Sequence, residues 1–335
     1  MADFCSAVDS GGVDSTAMII ELVARGEPID MVLFADTFSE RPWTYETVRT
    51  FSAWLKERGI PFERVFYKAQ KFKNFPPYLG LLENCLTNGT LPSIAFGFGS
   101  CSLKNKVAPQ NKFAENWEPA VTAWRQGLKV VKCIGYDCSP ADLKRYAERE
   151  GYDEDAKYAF RYPLREWGWV RSDCEKRIAD AGLPPVKKSA CFFCTATKPA
   201  ELHEYEPELL RIIVLMEARA KPRLKSTEGL WRKAVKGMRG ATPRPGDMTS
   251  YIREQGLLPA DEVNYITANA PTALISWQEA HADTPLEERP DVRQWLEFFD
   301  QHIESFRRDG VVSLYRDAPY APDVTPSRPK DRIAA

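Results

Sequence analysis

The chain has 335 residues, with 46 Lys and Arg against 47 Asp and Glu, for a formal net charge of −1. Hydrophobic residues make up 44% and charged residues 28%, a balance suited to one large globular domain or two ordinary ones. This charge exerts no global pull toward nucleic acid or membrane, no apolar run approaches the ~18 residues a membrane span needs, and eight Cys in a chain of this size fit metal or redox chemistry better than a disulfide framework.

The first apolar run, residues 4–8, begins so early that no leader is expected, which points to a cytoplasmic protein. It leads into Asp9-Ser10-Gly11-Gly12-Val13-Asp14-Ser15-Thr16, and a helix-period run follows over 17–23. The pattern is strand, glycine-rich turn, helix, the setting in which a glycine loop binds anions. Gly11 and Gly12 allow a sharp turn and close approach to a ligand. Ser10, Ser15 and Thr16 offer hydroxyls to phosphate oxygens, and the N–H groups opening the helix favour an anion there. Asp14 has the wrong sign to hold phosphate; it reads as a helix cap or as a contact to phosphate-bound Mg²⁺.

Residues 31–35 form a continuous apolar run typical of a buried parallel strand. It ends in Asp36-Thr37, at the carboxyl end where open α/β sheets place ligands; Asp36 reads equally as a simple helix cap. A helix is expected over 44–56, with an apolar stripe at Val48, Phe51 and Leu55 and Gly59 as its stop. A third strand follows over 61–67. Residues 68–100 lose periodicity and read as a long loop, of the kind that serves as a lid or substrate-binding segment. The fourth strand spans 130–135 and ends in Gly135. Helices over 140–149 and 173–181 flank an extended stretch at 160–164. The expected fold class is α/β: a doubly wound, mostly parallel five-stranded sheet over 1–200, followed by a mainly helical region over 201–335.

In that last region, 200–220 is helical, with Leu209, Ile212, Ile213, Leu215 and Met216 as its apolar face. Residues 221–244 carry eight bases (Lys221, Arg223, Lys225, Arg232, Lys233, Lys236, Arg239 and Arg244) against Glu228, with Trp231 among them. Such a run is a solvated face, or it tracks the backbone of DNA or RNA while Trp231 stacks a base. Residues 246–285 read as loops with short helices, 291–308 as an amphipathic helix, and the stretch from Ala318 as a Pro-rich tail. His203, His281 and His302 show no ligand spacing.

The N-terminal loop lacks the Lys of a G-x-x-x-x-G-K-[ST] motif. With Ser10, Gly11, Gly12, Asp14 and Ser15 it resembles instead the S-G-G-x-D-S loop of the PP-loop ATP pyrophosphatases. That resemblance implies an adenine nucleotide alpha hydrolase-like fold, cleavage of ATP between its α- and β-phosphates, and adenine read near Phe34 and Asp36. A longer ordered set, Cys101, Lys104, Pro109, Gly135, Pro163, Leu164, Trp167, Pro184, Cys191 and Cys194, resembles the phosphoadenosine phosphosulfate reductase-like group over residues 3–200. Position 100 is Ser where that group doubles the cysteine, Asn105 follows Lys104 where it has Lys, and no Cys follows Cys194 to serve as a reductive thiol.

The resemblance implies a nucleotide site of Ser10, Gly11, Gly12, Asp14, Ser15, Thr16, Phe34, Asp36 and Gly135, with Ser10, Asp14 and Lys104 as the catalytic set. Cys191 and Cys194 have metal-binding spacing. Adding Cys101 and Cys174 makes four thiolates, enough for a structural zinc or a [4Fe–4S] cluster, and the resemblance favours the cluster. The competing reading makes them core thiols beside Phe192 and Phe193. The implied function is ATP- and Mg²⁺-dependent adenylation of a substrate with pyrophosphate release, then sulfur transfer in nucleic-acid modification with a sulfur-donor protein. A sulfonucleotide reductase or hydrolase, and a nucleotide-binding regulator without turnover, are the alternatives.

Overall fold

The structure is a computed structural model that describes residues 5–9, 11–69, 78, 80–147, 155–237, 240–280, 283–285 and 288, with backbone alone at 5–9 and 271–280. The expected helix over 291–308 and the tail from Ala318 lie outside the described residues.

In chain order the elements begin with β1 (Cys5–Asp9), α1 (Val13–Ala24), β2 (Met31–Asp36), α2 (Pro42–Lys56) and β3 (Phe62–Phe66). Then come α3 (Leu81–Asn88), a 3-10 turn at Ser93–Phe96, α4 (Ser100–Ser102), a π-helical turn at Leu103–Val107, α5 (Ala108–Asn116) and α6 (Glu118–Arg125). β4 (Val130–Cys133), α7 (Pro140–Ala147), β5 (Tyr158–Arg161), α8 (Pro163–Glu166) and α9 (Arg171–Asp180) follow. The rest is helical: a 3-10 turn at Pro199–Glu204, α10 (Pro207–Ala220), α11 (Met248–Glu254) and α12 (Ala260–Ala280).

The expected class, a doubly wound five-stranded sheet, is corrected by this architecture. The described residues are about 52% helical, and the strands whose side chains are described form two short two-strand parallel pairs. These are β2 with β3, where Val32 faces Phe62, and β4 with β5, where Val130 faces Tyr158. β1, described in backbone only, runs parallel to both β2 and β4, so backbone pairing alone gives the order β3-β2-β1-β4-β5. The physical reason for the correction lies between β3 and β4. There the sequence suggested a long loop over 68–100, within which α3 forms a short helix, and past it α5 and α6 form two more, each with Pro in its first turn, where its missing N–H costs nothing.

The chain divides into two compact units, one of residues 1–36, 40–66 and 104–190, the other of 37–39, 67–103 and 191–335. The expected boundary at residue 200 falls inside the second. In the first, α1 is buried nearly all round: Ala17, Met18, Ile19, Ile20 and Leu22 pack with Val32, Phe51, Leu55, Cys133, Leu164, Cys174 and Ile178. A helix apolar on every side belongs inside a core. In the second unit α10 plays that part. Leu209, Leu210 and every residue from Ile212 to Ala220 are buried, so its apolar surface extends beyond the single face its spacing suggested.

Candidate functional site

The site in the first unit grows from the turn between β1 and α1. Ser10 lies outside the described residues. Gly11 has φ +65, a region L side chains rarely adopt. A Cβ there would also come within 2.8 Å of Thr44 Cγ2 and 3.0 Å of Val48 Cγ2, with the Phe34 ring just beyond at 3.6 Å. Phe34, fully buried, is thus floor beneath the loop. Gly12 is the N-cap of α1, extended and without a capping side chain, so no side chain of its own covers the opening N–H groups of the helix. The ladder begins where Thr16 N–H donates to Gly12 O at 3.1 Å.

Gly135, just past β4, lies against this first turn. A Cβ at Gly135 would meet Ser15 N at 2.9 Å and Ser15 Cα at 3.0 Å, so only glycine lets the two backbones approach this closely. The structure therefore brings Gly11, Gly12, Asp14, Ser15, Thr16, Phe34 and Gly135 together around one helix N-terminus. Ser15 Oγ donates back to Gly12 O at 3.2 Å. Thr16 is 1% exposed, and its Oγ1 is buried without a hydrogen-bond partner among the described residues.

Asp14 is the charged member. Its Oδ2 pairs with Arg171 at 3.0 Å, while Oδ1 is buried without a hydrogen-bond partner among the described residues. Burial pushes the carboxyl up to about 6; Arg171 and a weak contact from the Cys174 thiol oppose the rise, and Asp137 and Asp142 add to it. Burial and the Asp14 charge in turn push the Cys174 thiol up to about 12. Cys174 is buried in the core of the first unit beside Asp14. Asp137 and Asp142 are themselves engaged: Ser139 N–H donates to Asp137 Oδ1 at 2.9 Å, and Arg145 pairs with Asp142 at 3.0 Å.

Asp36 has a structural partner set. Arg64 grips Oδ2 through Nε at 2.6 Å and also through Nη2, and Tyr45 Oη donates to Oδ1 at 2.9 Å. Its carboxylate, 1% exposed, is not a helix cap. Burial, with Asp36 and Glu40 close by, raises the Tyr45 phenol well above its ordinary value.

Lys104, expected in the catalytic set, is exposed. Two residues on, Lys106 Nζ reaches the fully buried Glu40 carboxylate at 3.0 Å. The π-helical turn that carries both lysines sets this difference, since a π turn shifts side-chain phase relative to an α-helix. Sequence reasoning missed Glu40, Lys106, Arg64 and Arg171. The available signal was charge in an unlikely place: Glu40-Arg41 sits between a buried strand and the Pro42 that opens α2, and both residues are buried.

The four candidate cysteines divide between the two units. Cys174 lies in the first unit; Cys101, Cys191 and Cys194 belong to the second. There Cys191 Sγ lies 3.2 Å from Thr37 Oγ1. Cys194 N–H donates to Cys191 O at 3.0 Å, closing a turn around the buried Phe192 and Phe193. Cys101 N–H donates to Ser93 Oγ at 2.7 Å. Among the described residues no three His, Cys, Asp or Glu gather in metal-binding geometry.

Trp231, a base-stacking residue in one of the two readings of 221–244, is 4% exposed. Its Nε1 donates to Thr197 O at 2.8 Å, Arg244 lies over its ring at 4.7 Å, and Tyr251 meets it edge-on. It anchors the segment, and Arg239 of that segment lies outside the described residues.

No protein-family model matches the chain, and no curated protein matches it in sequence. Among the described residues no helix is long and apolar enough to cross a membrane.

Proposed function

We propose that the chain is a PP-loop-type enzyme that binds ATP at the opening of α1 and adenylates an oxygen of its substrate. The observation that carries this reading is the bare N-terminus of α1, capped by Gly12 and pressed by Gly135, at the carboxyl end of parallel strands. Such a place attracts phosphate through unpaired N–H groups and the helix dipole. In the step we infer, the substrate oxygen attacks the α-phosphorus. The bond from that phosphorus to the bridging oxygen breaks, and pyrophosphate leaves with the electron pair. N–H groups of the first turn stabilise the charge growing on it, and Thr16 Oγ1 supplies a buried hydroxyl beside them.

Mg²⁺, when bound, supplies charge neutralisation on the phosphates. Asp14 is the residue suited to hold it, since Oδ1 is buried without a hydrogen-bond partner among the described residues, with Arg171 yielding Oδ2. Displacement of AMP by a sulfur nucleophile, a nucleic-acid acceptor and a cytoplasmic setting rest on the resemblance and the basic segment alone.

The test is pyrophosphate release from ATP by the full chain, with Gly135→Ala and Asp14→Asn beside the wild type. We expect release by the wild type and a fall of about 100-fold in Gly135→Ala, the scale of losing one preorganised donor contact. Equal release by all three proteins would remove the loop from the chemistry.

A further inference from the structure

The second unit holds a basic pocket of about 430 Å³, lined by Ala95, Phe96, Ser226, Trp231, Arg232 and Lys233. Arg232 and Lys233 are exposed, no acidic side chain lines the pocket, and among the described residues neither side chain meets a carboxylate. Ala95 and Phe96 come from the 3-10 turn that ends at Gly97. The Arg232 guanidinium lies along that turn, since a Cβ at Gly97 would approach Nη2 to 2.9 Å.

Arg232 has φ +73, a strained conformation that costs a non-glycine residue on the order of 1 kcal/mol and persists where its surroundings over-determine it. Here they do. Glu228 N–H donates to Arg232 O at 2.7 Å, Arg232 N–H to Gly229 O at 3.0 Å, and Thr227 Oγ1 to both carbonyls. Leu230 N–H is fixed to the buried Glu217 at 2.7 Å, and a side chain at Gly229 would collide with Asp247. Trp231 pins the same turn from below through Thr197. A rigid turn thus holds a strained arginine, a lysine and a serine hydroxyl facing a wall that contains one aromatic ring.

We propose that this pocket binds one nucleotide unit, with its phosphate on Arg232, Lys233 and Ser226 Oγ and its base against Phe96. A guanidinium fork matches phosphate geometry, and an aromatic wall accepts any base by stacking. The unit comes from a free mononucleotide or from one residue of a strand. The proposal does not depend on the adenylation reading, and its test contains no ATP.

The experiment measures binding of UMP by calorimetry and of labelled single-stranded oligo(dT) and oligo(U) by anisotropy, using the full chain, Arg232→Gly and Lys233→Ala. Glycine suits φ +73, so Arg232→Gly keeps or raises the melting temperature while removing the guanidinium. We expect its affinity to fall at least tenfold, with the salt dependence of strand binding reduced by about one charge. A fall for UMP and strands alike identifies the nucleotide itself as the ligand; a fall for strands alone identifies a strand residue. Absence of wild-type binding to every probe, or less than a threefold change in both variants, overturns the proposal.

Discussion

Two carboxylates, the buried Glu217 and the half-buried Asp14, one in each unit, are treated in opposite ways. Glu217, on α10 of the second unit, accepts from Leu230 N–H, Met248 N–H, Thr249 N–H and Thr249 Oγ1, at 2.7, 3.0, 2.7 and 2.6 Å. Burial and Asp247 push its carboxyl up, and these donors pull it back. Asp14 in the first unit has the Arg171 ion pair and the Cys174 thiol contact, and among the described residues its Oδ1 has no hydrogen-bond partner. A saturated carboxylate ties a helix start and a turn to a core helix, which is a structural task. An unsaturated one beside a bare helix N-terminus holds unused binding capacity, which is how a ligand site differs from a knot in the fold.

The largest expected effect breaks the saturated side of this contrast. Glu217→Ala leaves three N–H groups without their acceptor in a buried setting, and each orphaned group costs about 1–3 kcal/mol. Urea unfolding should report a loss of at least about 3 kcal/mol; a loss below 1 kcal/mol would show that water replaces the carboxylate.

Asp14 should behave in reverse. Its folded carboxyl titrates near 6, above the ~3.9 of an unfolded chain. Because the folded value is raised, folding favours the protonated form, and the stability this gives is present at low pH. It is lost as pH rises from about 4 through about 6. Asp14→Asn should therefore match the wild type near pH 3.5 and exceed it by up to about 3 kcal/mol at pH 7.5, while losing pyrophosphate release. A variant less stable than the wild type at pH 7.5 would mean that Arg171 outweighs burial.

A loss of about 2 kcal/mol by urea unfolding is expected from Lys106→Ala, which removes the ion-pair partner of buried Glu40. Lys104→Ala, on an exposed side chain, should stay within about 0.5 kcal/mol and alter pyrophosphate release little. If Lys104→Ala proved the more damaging to activity, the lysine that matters would be the one the sequence pattern named.

Much of the loop was legible because its demands are local. Gly11 and Gly12 between an apolar run and a helix-period run announce a turn that needs a positive φ and a bare N-cap. What surrounds the loop was less legible, since it depends on partners distant in sequence. The Arg64 and Tyr45 partners of Asp36, and the Asp14 neighbour of Cys174, lie far off in the chain. Helices over 81–125 escaped notice because they are short, and two open on proline, which reads as loop in a sequence scan. α10 was expected as an amphipathic helix; the burial of its charged residues Glu217 and Arg219 comes from partners at Leu230, Met248, Thr249 and Leu86, which spacing does not reveal.

The most direct measurement is a crystal structure of the full chain with Mg²⁺ and α,β-methylene ATP, which cannot be cleaved between those phosphates. The account predicts the β- and γ-phosphates at the first turn of α1, between Gly11 and Gly135, with Arg171 withdrawn from Asp14. A triphosphate bound elsewhere, with the Arg171–Asp14 pair intact, would contradict it.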